Sequence, residues 1–394
     1  NTDGQTYLNR VEMNTRQLLV GLTILPFLSD MASANVPVGP PPECPALHKV
    51  IVVGGTHGNE YTGVWCIKAL ARRSDELAES FPSLNIETLL SHPEAHMANK
   101  RFIDADLNRE FTEEKLVGAK DRHPTVESLR AQELNKLLGP KLGSKHPQTD
   151  VIVDLHTTTS NMGTCLIVPE GDVPMVRAAA YVAHKCGGEK GEARILVHTM
   201  PRNQRPDVKS IARHGLTIEV GPVPQGVLRH DAVEKTERVL HYFLEYLELL
   251  HPKNNGDNGD ISSVQTMLNK WYPGGQLPVY KSADARKKGQ LCGRIRWPCD
   301  PENPNFPLYI VHKSLQDQDF RKIKKGDALF VDLDGNIIPY SGSHGDEVYL
   351  IFVNEGGYYY SSSGTGIGVA VKRIIGIMDG MIVEQDESSH SVVS

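Results

Sequence analysis

From residue 49 onward, the chain alternates short apolar runs with longer segments whose apolar residues recur every three or four positions. Short uninterrupted apolar runs indicate buried strands, and the wider spacing indicates helices with one buried face. The runs predict strands at residues 50–53, 85–90, 151–155, 165–168, 195–198 and 216–220. The periodic segments predict helices at residues 61–72, 126–138, 173–185 and 232–250. This alternation predicts an α/β fold in which helices cover a mainly parallel or mixed sheet.

The pattern changes after residue 250. Residues 251–260 are polar and rich in glycine, which is typical of a linker. Short alternating runs follow at residues 293–297, 328–332, 348–353 and 367–374, and they predict a smaller β-rich domain. We therefore expect an α/β domain over residues 49–253, a β-rich domain over 261–384 and a flexible polar tail over 385–394.

The first 48 residues do not share this pattern and predict either a disordered lead-in or a targeting extension. Residues 13–34 contain an arginine, an apolar run over 18–28 and the sequence Ala-Ser-Ala, which is the layout of a secretory or organelle-targeting signal. The competing interpretation starts translation at Met31 and gives a cytoplasmic protein. Both interpretations stay open on the sequence.

Composition narrows the class of protein. Hydrophobic residues make up 39% and charged residues 23% of the 394 positions, as in ordinary globular proteins. The net charge of −6 gives no reason to expect nucleic-acid binding, and no apolar run is long enough to predict a membrane-spanning helix. The six cysteines show no CxxC spacing, so we expect reduced thiols in the cytoplasm, although Cys292 and Cys299 could pair.

Two of the predicted strands lead directly into histidine and glutamate residues, which are side-chain types that commonly bind metals. The strand at 50–53 is followed by the sequence GGTHGNE, which brings His57 and Glu60 into a tight loop before a helix. The strand at 151–155 delivers His156 to its carboxyl end, and Asp154 points the same way, so its carboxylate could orient the imidazole. Imidazole and carboxylate groups are ordinary zinc ligands. The alternative is a set of core histidines; no GxxxxGK[ST] or GxGxxG motif supports a phosphate loop.

Several blocks resemble the aspartoacylase/aminoacylase-3 group of the succinylglutamate desuccinylase/aspartoacylase family. The main blocks are residues 54–60 (GGTHGNE), 154–163 (DLHTTTSNMG) and 219–228 (EVGPVPQGVL). Further blocks at 101–109, 130–140, 315–320 and 353–359 extend the resemblance from about residue 49 to about residue 360. The resemblance implies a zinc-carboxypeptidase-like mixed sheet flanked by helices, with a smaller β-rich C-terminal domain that caps the cleft. It also implies a homo-oligomer.

The resemblance also implies roles for individual residues. One zinc ion per subunit would be held by His57, Glu60 and His156. Glu219 would be the general base that takes a proton from the attacking water, and Arg101 would stabilise the oxyanion of the tetrahedral intermediate. Without the resemblance, Glu219 could be a surface ion-pair partner and Arg101 part of a solvated charged stretch.

Substrate-binding roles follow in the same way. Asn108 and Arg109 would bind the α-carboxylate of the amino acid, and Tyr358 would contact the substrate from the second domain. Relatives of aspartoacylase type have an arginine ten residues before the general base, where this chain has Lys209, and a second cation where it has Ser362. Lysine lacks the two-pronged donor of arginine, which favours a broader deacylase over one that selects a second carboxylate.

The predicted function is the zinc-dependent hydrolysis of the amide bond of small N-acyl-L-amino acids to a carboxylate and a free amino acid. The substrate would be N-acetyl-L-aspartate, or an N-acetylated aromatic or S-substituted cysteine amino acid. The alternatives are a zinc carboxypeptidase, which would need an open cleft, and a non-catalytic metabolite-binding relative, which should lack the base. A structural assembly protein would leave the three metal-ligand residues unexplained.

Overall fold

A mixed β-sheet forms the centre of the fold in the computed structural model, which describes residues 47–117, 123–143, 146–188, 193–251, 261–286 and 292–383. The predicted targeting segment at 13–34, most of the linker and the tail at 385–394 lie outside the described residues. The strands are β1 (Lys49–Gly54), β2 (Asn85–Leu90), β3 (Val151–Thr157), β4 (Gly163–Pro169), β5 (Ala193–His198), β6 (His214–Gly221), β7 (Gln276–Ser282), β8 (Arg294–Ile295), β9 (Tyr309–Val311), β10 (Lys322–Lys324), β11 (Ala328–Asp332), β12 (Ile337–Pro339), β13 (Glu347–Ile351), β14 (Ile367–Gly376) and β15 (Ile382–Val383). The α-helices are α1 (Tyr61–Arg72), α2 (Ser74–Ser80), α3 (Pro93–Met97), α4 (Glu113–Val117), α5 (Val126–Leu138), α6 (Val173–Lys185), α7 (His230–Leu249) and α8 (Ile261–Trp271).

The predicted α/β class with a mixed sheet is confirmed. The main path of the sheet runs β10-β13-β14-β7-β5-β4-β6-β3-β1-β2. Strands β2, β1, β3 and β6 are parallel to one another, whereas β4 pairs with β6 in the antiparallel sense. The six strands and four helices predicted for the first part of the chain are present, and their ends differ from the prediction by no more than two residues.

Alternate side chains of the central strands enter two separate cores. In β1, Val50 and Val52 pack in the large core with α1, α6 and α7, whereas Ile51 and Val53 pack in the core that contains α5. Successive side chains of a strand point to opposite faces, so a strand covered on both faces must be apolar throughout. This is why an uninterrupted apolar run, and not an alternating one, marked these strands in the sequence.

Two of the helices that cover the sheet, α5 and α6, begin at polar caps. The side chain of Asp172 accepts a hydrogen bond from the backbone N–H of Met175 at the start of α6, and Thr125 does the same for Ser128 at the start of α5. Such caps satisfy amide groups that have no partner within the helix. Among the described helices, none is both long enough and apolar enough to cross a membrane.

The C-terminal part of the chain extends the main sheet and adds a small one. Strand β7 runs parallel to β5 and joins β14, β13 and β10 to the sheet of the first part. Strands β12, β11 and β9 form a separate sheet over a second core that includes Trp297 and Tyr340. The predicted β-rich C-terminal region is therefore present, whereas the domain limits at 253 and 261 stay a prediction. Strand β7 was not predicted, because Pro278 and Lys281 interrupt its apolar pattern.

Candidate active site

The loop between β1 and α1 brings His57 and Glu60 together. Gly55 has a φ of 68°, a left-handed conformation that glycine adopts without strain, and it turns the chain at the end of β1. His57 and Glu60 are both buried, and the Nδ1 atom of His57 lies 2.5 Å from Oε1 of Glu60. The glycine-rich junction thus aims an imidazole and a carboxylate at the same point.

Strand β3 delivers His156 to this point from the neighbouring strand. Its Nδ1 atom lies 2.9 Å from Oε2 of Glu60, and the same oxygen accepts the backbone N–H of Thr157 at 2.9 Å. The backbone amide of Thr157 supports Glu60 whatever the side chain of this residue. The metal-binding atoms of His57, Glu60 and His156 all lie within 4.8 Å of one another.

A carboxylate lies behind each imidazole. The Nε2 atom of His156 lies 2.7 Å from Oδ2 of Asp154, as the two-residue spacing predicted. The Nε2 atom of His57 lies 3.2 Å from Oδ1 of Asp106. Asp154 is fully buried and also accepts the hydroxyl of Thr56 at 2.8 Å, which fixes its position. Carboxylates in this position set the tautomer and the orientation of metal-binding histidines.

The group of His57, Glu60 and His156 fits a zinc ion. When Nε2 of each imidazole donates its proton to Asp106 or Asp154, both Nδ1 atoms present lone pairs toward the carboxylate of Glu60. Three electron-rich atoms that converge in a buried place are stabilised by a cation between them. Two imidazole nitrogens and one carboxylate oxygen form the ligand set of many catalytic zinc sites.

Glu219 lies near the end of β6, next to the metal-binding group. In the register of β3 and β6 it stands directly opposite His156. Burial raises the pKa of the Glu219 carboxyl; the negative charges of Glu60 and Glu355 reinforce the shift, and the positive charge of Arg101 opposes it. A carboxylate with a raised pKa accepts a proton more readily, which suits a general base.

Arg101 is buried among three carboxylates beside the same group. Its guanidinium lies 3.2 Å from Glu60, 3.5 Å from Asp106 and 3.7 Å from Glu355. A Cβ atom at Gly357 would lie 2.7 Å from Cζ of Arg101, so only glycine allows the C-terminal segment to approach this closely. Within the described residues, Nε of Arg101 has no hydrogen-bond partner.

Asn108 and Arg109 lie at the cleft on a short turn, but their contacts differ. The amide nitrogen of Asn108 lies 3.4 Å from Oδ2 of Asp154, and its oxygen accepts the backbone N–H of Val208 at 3.1 Å. Asn108 therefore ties the turn to the metal-binding group and to the loop before β6. Arg109 donates to the carbonyl of Asn108 at 2.8 Å, and its side chain is exposed at the cleft.

Lys209 and Tyr358 line the same cleft from opposite parts of the chain. The ammonium of Lys209 is buried and lies 3.3 Å from the carboxylate of Asp207. Arg294 also lines the cleft, with its guanidinium carbon 3.4 Å from the centre of the Tyr358 ring, a cation–π contact. It donates a hydrogen bond to the carbonyl of Gly364 as well. Sequence reasoning missed both Asp207 and Arg294.

The two arginines that precede Lys209 most closely in the sequence, Arg202 and Arg205, do not line the cleft. Arg202 donates to the backbone carbonyls of Ser210, Lys141, Ile211 and Ala212, which gives it a structural role. Arg205 and Ser362 do not belong to the cleft wall either. Besides Arg101, Arg109 and Lys209, the described residues of the cleft wall include one further cation, Arg294. The sequence offered no signal for Arg294, since it lies far from the other site residues along the chain.

The cleft has a volume of about 330 Å³ and is bounded by residues from both parts of the chain. Cys292, Arg294, Phe352 and Tyr358 belong to its C-terminal wall. A volume of this order matches pockets for small molecules, which typically measure roughly 300–1,000 Å³. A larger groove of about 540 Å³ lies between α1, α2 and α7. It contains none of the site residues, so it is not the candidate active site.

Glu127, on α5, holds the loop that carries Arg101 and Asp106. It is fully buried, and its carboxylate accepts backbone N–H groups of Ile103 at 2.6 Å, Asp104 at 3.2 Å and Ala105 at 3.0 Å. Nε2 of His92 lies 2.8 Å from the same carboxylate. Burial alone would raise the pKa of Glu127, but His92 and these amides lower it to about 2, so the group is ionised.

Replacing Glu127 by Gln should lower kcat/KM by roughly 10–100-fold. The NH₂ group of the glutamine cannot accept hydrogen bonds from the loop amides, so the loop should shift. A small displacement of the catalytic groups on this loop is enough to slow the reaction by this factor. Zinc content and thermal melting should be measured on the same samples. Glu133→Gln is the matched control, since Glu133 lies on the same helix and its side chain is 65% exposed. A folded Glu127→Gln enzyme with unchanged kcat/KM would contradict this positioning role.

A mixed α/β sheet that gathers two imidazoles and a carboxylate at its strand ends, with a further buried carboxylate alongside, is typical of metal-dependent hydrolases. The succinylglutamate desuccinylase/aspartoacylase catalytic domain matches residues 46–247, and the barrel-sandwich hybrid domain of the same family matches residues 290–365. The chain belongs to the succinylglutamate desuccinylase/aspartoacylase family, as its sequence blocks had indicated.

Relatives of two kinds are similar to the chain. An N-acyl-aromatic-L-amino acid amidohydrolase (carboxylate-forming) of Xenopus tropicalis is 32% identical over 323 residues, which cover 82% of this chain and 93% of the relative. An aspartoacylase of the same organism is 33% identical over 315 residues, covering 79% and 89%. The crystal structure of murine aminoacylase 3 superposes with a TM-score of 0.66 at 26% identity and covers 86% of this chain and 99% of that one. The chain is about equally identical to the two kinds of relative.

Proposed function

We propose that this chain is a zinc-dependent amidohydrolase that cleaves N-acyl-L-amino acids to a carboxylate and a free amino acid. One zinc ion per subunit would be held by His57, Glu60 and His156. The observation that carries the proposal is the convergence of these three side chains beside Glu219, in a family whose relatives are named as amidohydrolases of this kind. Zinc, when bound, supplies Lewis-acid activation of a water molecule and of a carbonyl group.

The residues around the metal-binding group would carry the proton and charge of the reaction. Glu219 takes a proton from the attacking water and later delivers it to the nitrogen of the leaving amine, which breaks the amide bond. Arg101 donates to the oxygen that becomes negatively charged as the tetrahedral intermediate forms. The neighbouring carboxylates of Asp106 and Glu60 hold its guanidinium in place, so little reorganisation is needed during the reaction.

The remaining cleft residues would bind the amino-acid part of the substrate. Arg109, supported by Asn108, would bind the α-carboxylate through the planar donor fork of its guanidinium. Tyr358, beneath Arg294, would close the cleft from the C-terminal side, and Lys209 would face the side chain of the substrate. The small volume of the cleft favours a short acylated amino acid over the extended peptide that a carboxypeptidase would need.

Acetate release from a panel of N-acetyl-L-amino acids, combined with elemental analysis of metal content, tests the proposal. We expect about one zinc per chain and release from at least one substrate of the panel, with no cleavage of peptides at their carboxyl end. Peptide cleavage without acetate release would favour the carboxypeptidase. Neither activity in a zinc-loaded protein would favour a metabolite-binding relative.

We also propose that the enzyme works in the cytoplasm as a homo-oligomer. The cysteines of the described part, Cys66, Cys165, Cys186, Cys292 and Cys299, are free thiols, which agrees with a reducing compartment. Light scattering of the purified protein would measure the oligomeric state.

A further inference from the structure

One wall of the cleft is formed by the ends of β4 and β5 and by the loop that follows β5. Its apolar side chains include Ile167, Leu196 and Met200. His198, Asp207 and Lys209 complete this wall. On the proposed function, this wall faces the side chain of the substrate, because Lys209 stands where relatives that select a second carboxylate place an arginine.

Lys209 and Asp207 form an ion pair that the local backbone fixes. The ammonium lies 3.3 Å from Oδ2 of Asp207, and Lys209 is only 3% exposed. Oδ1 of Asp207 accepts the backbone N–H of Ser210 at 3.1 Å and so caps the turn Val208–Ile211 that carries the lysine. Because the cap holds the carboxylate in place, it stays beside the ammonium.

The charges of this wall cancel at neutral pH. Burial opposes ionisation of Asp207, but the charge and hydrogen bond of Lys209 lower its pKa overall, so the carboxylate is charged. Burial, reinforced by Lys209, lowers the pKa of His198 to about 4, so the imidazole is neutral. The positive charge of Arg205 also lowers the pKa of Asp207, but Arg205 does not line the cleft. The substrate therefore meets a wall with no net charge.

A substrate with a carboxylate side chain gains little binding free energy from this wall. It would have to lose its hydration, and the positive charge of Lys209 is already balanced by Asp207. An apolar or aromatic side chain loses no hydration of charge and gains contact with Ile167, Leu196 and Met200. We infer that Asp207 is a specificity-determining residue: by neutralising Lys209 it directs the enzyme to N-acyl amino acids with uncharged, apolar or aromatic side chains. This inference rests on the proposed function.

The test compares kcat/KM for N-acetyl-L-aspartate with kcat/KM for N-acetyl-L-tyrosine in the wild type and in Asp207→Asn. Asparagine keeps the oxygen that caps the turn but carries no charge, so it leaves the charge of Lys209 unbalanced. We expect the aspartate-to-tyrosine ratio to rise by at least about tenfold. Adding Lys209→Gln to Asp207→Asn should return the ratio to the wild-type value, because no charge is then left at either position.

Asp172→Asn is the matched control, since Asp172 also caps a helix, α6, and does not line the cleft. Its ratio should equal that of the wild type. An unchanged ratio in folded Asp207→Asn would overturn the inference. So would a wild-type enzyme that prefers N-acetyl-L-aspartate by more than about 100-fold, roughly 2.7 kcal/mol, and loses that preference in Lys209→Gln.

The double variant keeps the inference testable if Asp207→Asn alone does not fold. It replaces an ion pair by two neutral polar side chains of similar shape, so it should fold and keep the wild-type ratio. If the aspartate-to-tyrosine ratio of the double variant falls more than about tenfold below that of the wild type, Lys209 binds a second carboxylate of the substrate. Failure of the proposed function gives a different result, since the wild type would then release acetate from neither substrate.

Discussion

Replacing Glu219 by Gln is expected to lower kcat by on the order of 10²–10⁴-fold while zinc stays bound. Glutamine has the shape of glutamate but cannot accept the proton of the attacking water. Glu219 lies on β6 opposite His156, outside the group formed by His57, Glu60 and His156, so its replacement removes no metal-binding atom. Steady-state kinetics and elemental analysis on the same preparation measure both quantities.

Glu87→Gln is the control for this substitution. Glu87 lies on β2 of the same sheet, its side chain is 51% exposed and its partner is Lys49, so the change should leave kcat unaltered. If Glu219→Gln retains wild-type kcat, the general base lies elsewhere. If it loses zinc together with activity, Glu219 binds the metal, and the assignment of three protein ligands is wrong.

Changing either His57 or His156 to Ala should remove both the zinc and the activity. Each imidazole supplies one of three protein ligands, and two remaining ligands hold a divalent ion far more weakly. The change also leaves a carboxylate, Asp106 or Asp154, buried without its imidazole partner, which adds a stability cost of a few kcal/mol. Activity should therefore fall to background in both variants.

Two measurements distinguish the loss of a zinc-binding side chain from the loss of the fold. Circular dichroism should show native secondary structure in each variant, and elemental analysis should find zinc only in the wild type. His230→Ala is the control, because the His230 side chain is 86% exposed at the start of α7. Treating the wild type with a chelator should reproduce the loss, and added zinc should reverse it. Full zinc occupancy in His57→Ala or His156→Ala would overturn the metal assignment.

Local sequence determined the elements that deliver these residues. The apolar runs at 50–53 and 151–155 specify strands buried on both faces, and each run ends at a metal-binding residue or shortly before one. The position of His156 at the end of a strand and its pairing with Asp154 follow from the two-residue repeat of a strand. The resemblance added Glu219 and Arg101, and the fold brings both to the same cleft.

The tertiary structure alone decided which charged groups meet. Asp106 follows Arg101 by five positions, in the stretch whose alternative interpretation was a solvated charged run, yet it faces His57 across 49 positions of sequence. Arg294 reaches the cleft through a strand of the C-terminal part, and Glu127 holds a loop more than twenty positions away.

Periodicity specifies which face of an element is buried, and therefore where a strand or helix begins and ends. It carries no information about the distance between two charged side chains on different elements, because hydrophobic packing sets that distance. The same holds for residues that are close in sequence. The sequence shows a cation, Lys209, ten positions before the general base. Whether Asp207 neutralises the charge of Lys209 depends on burial and on the capped turn, which only the fold provides. The sequence by itself determined the strands and helices that carry the site and the candidate zinc ligands, and the folded chain decided the net charge that a substrate meets.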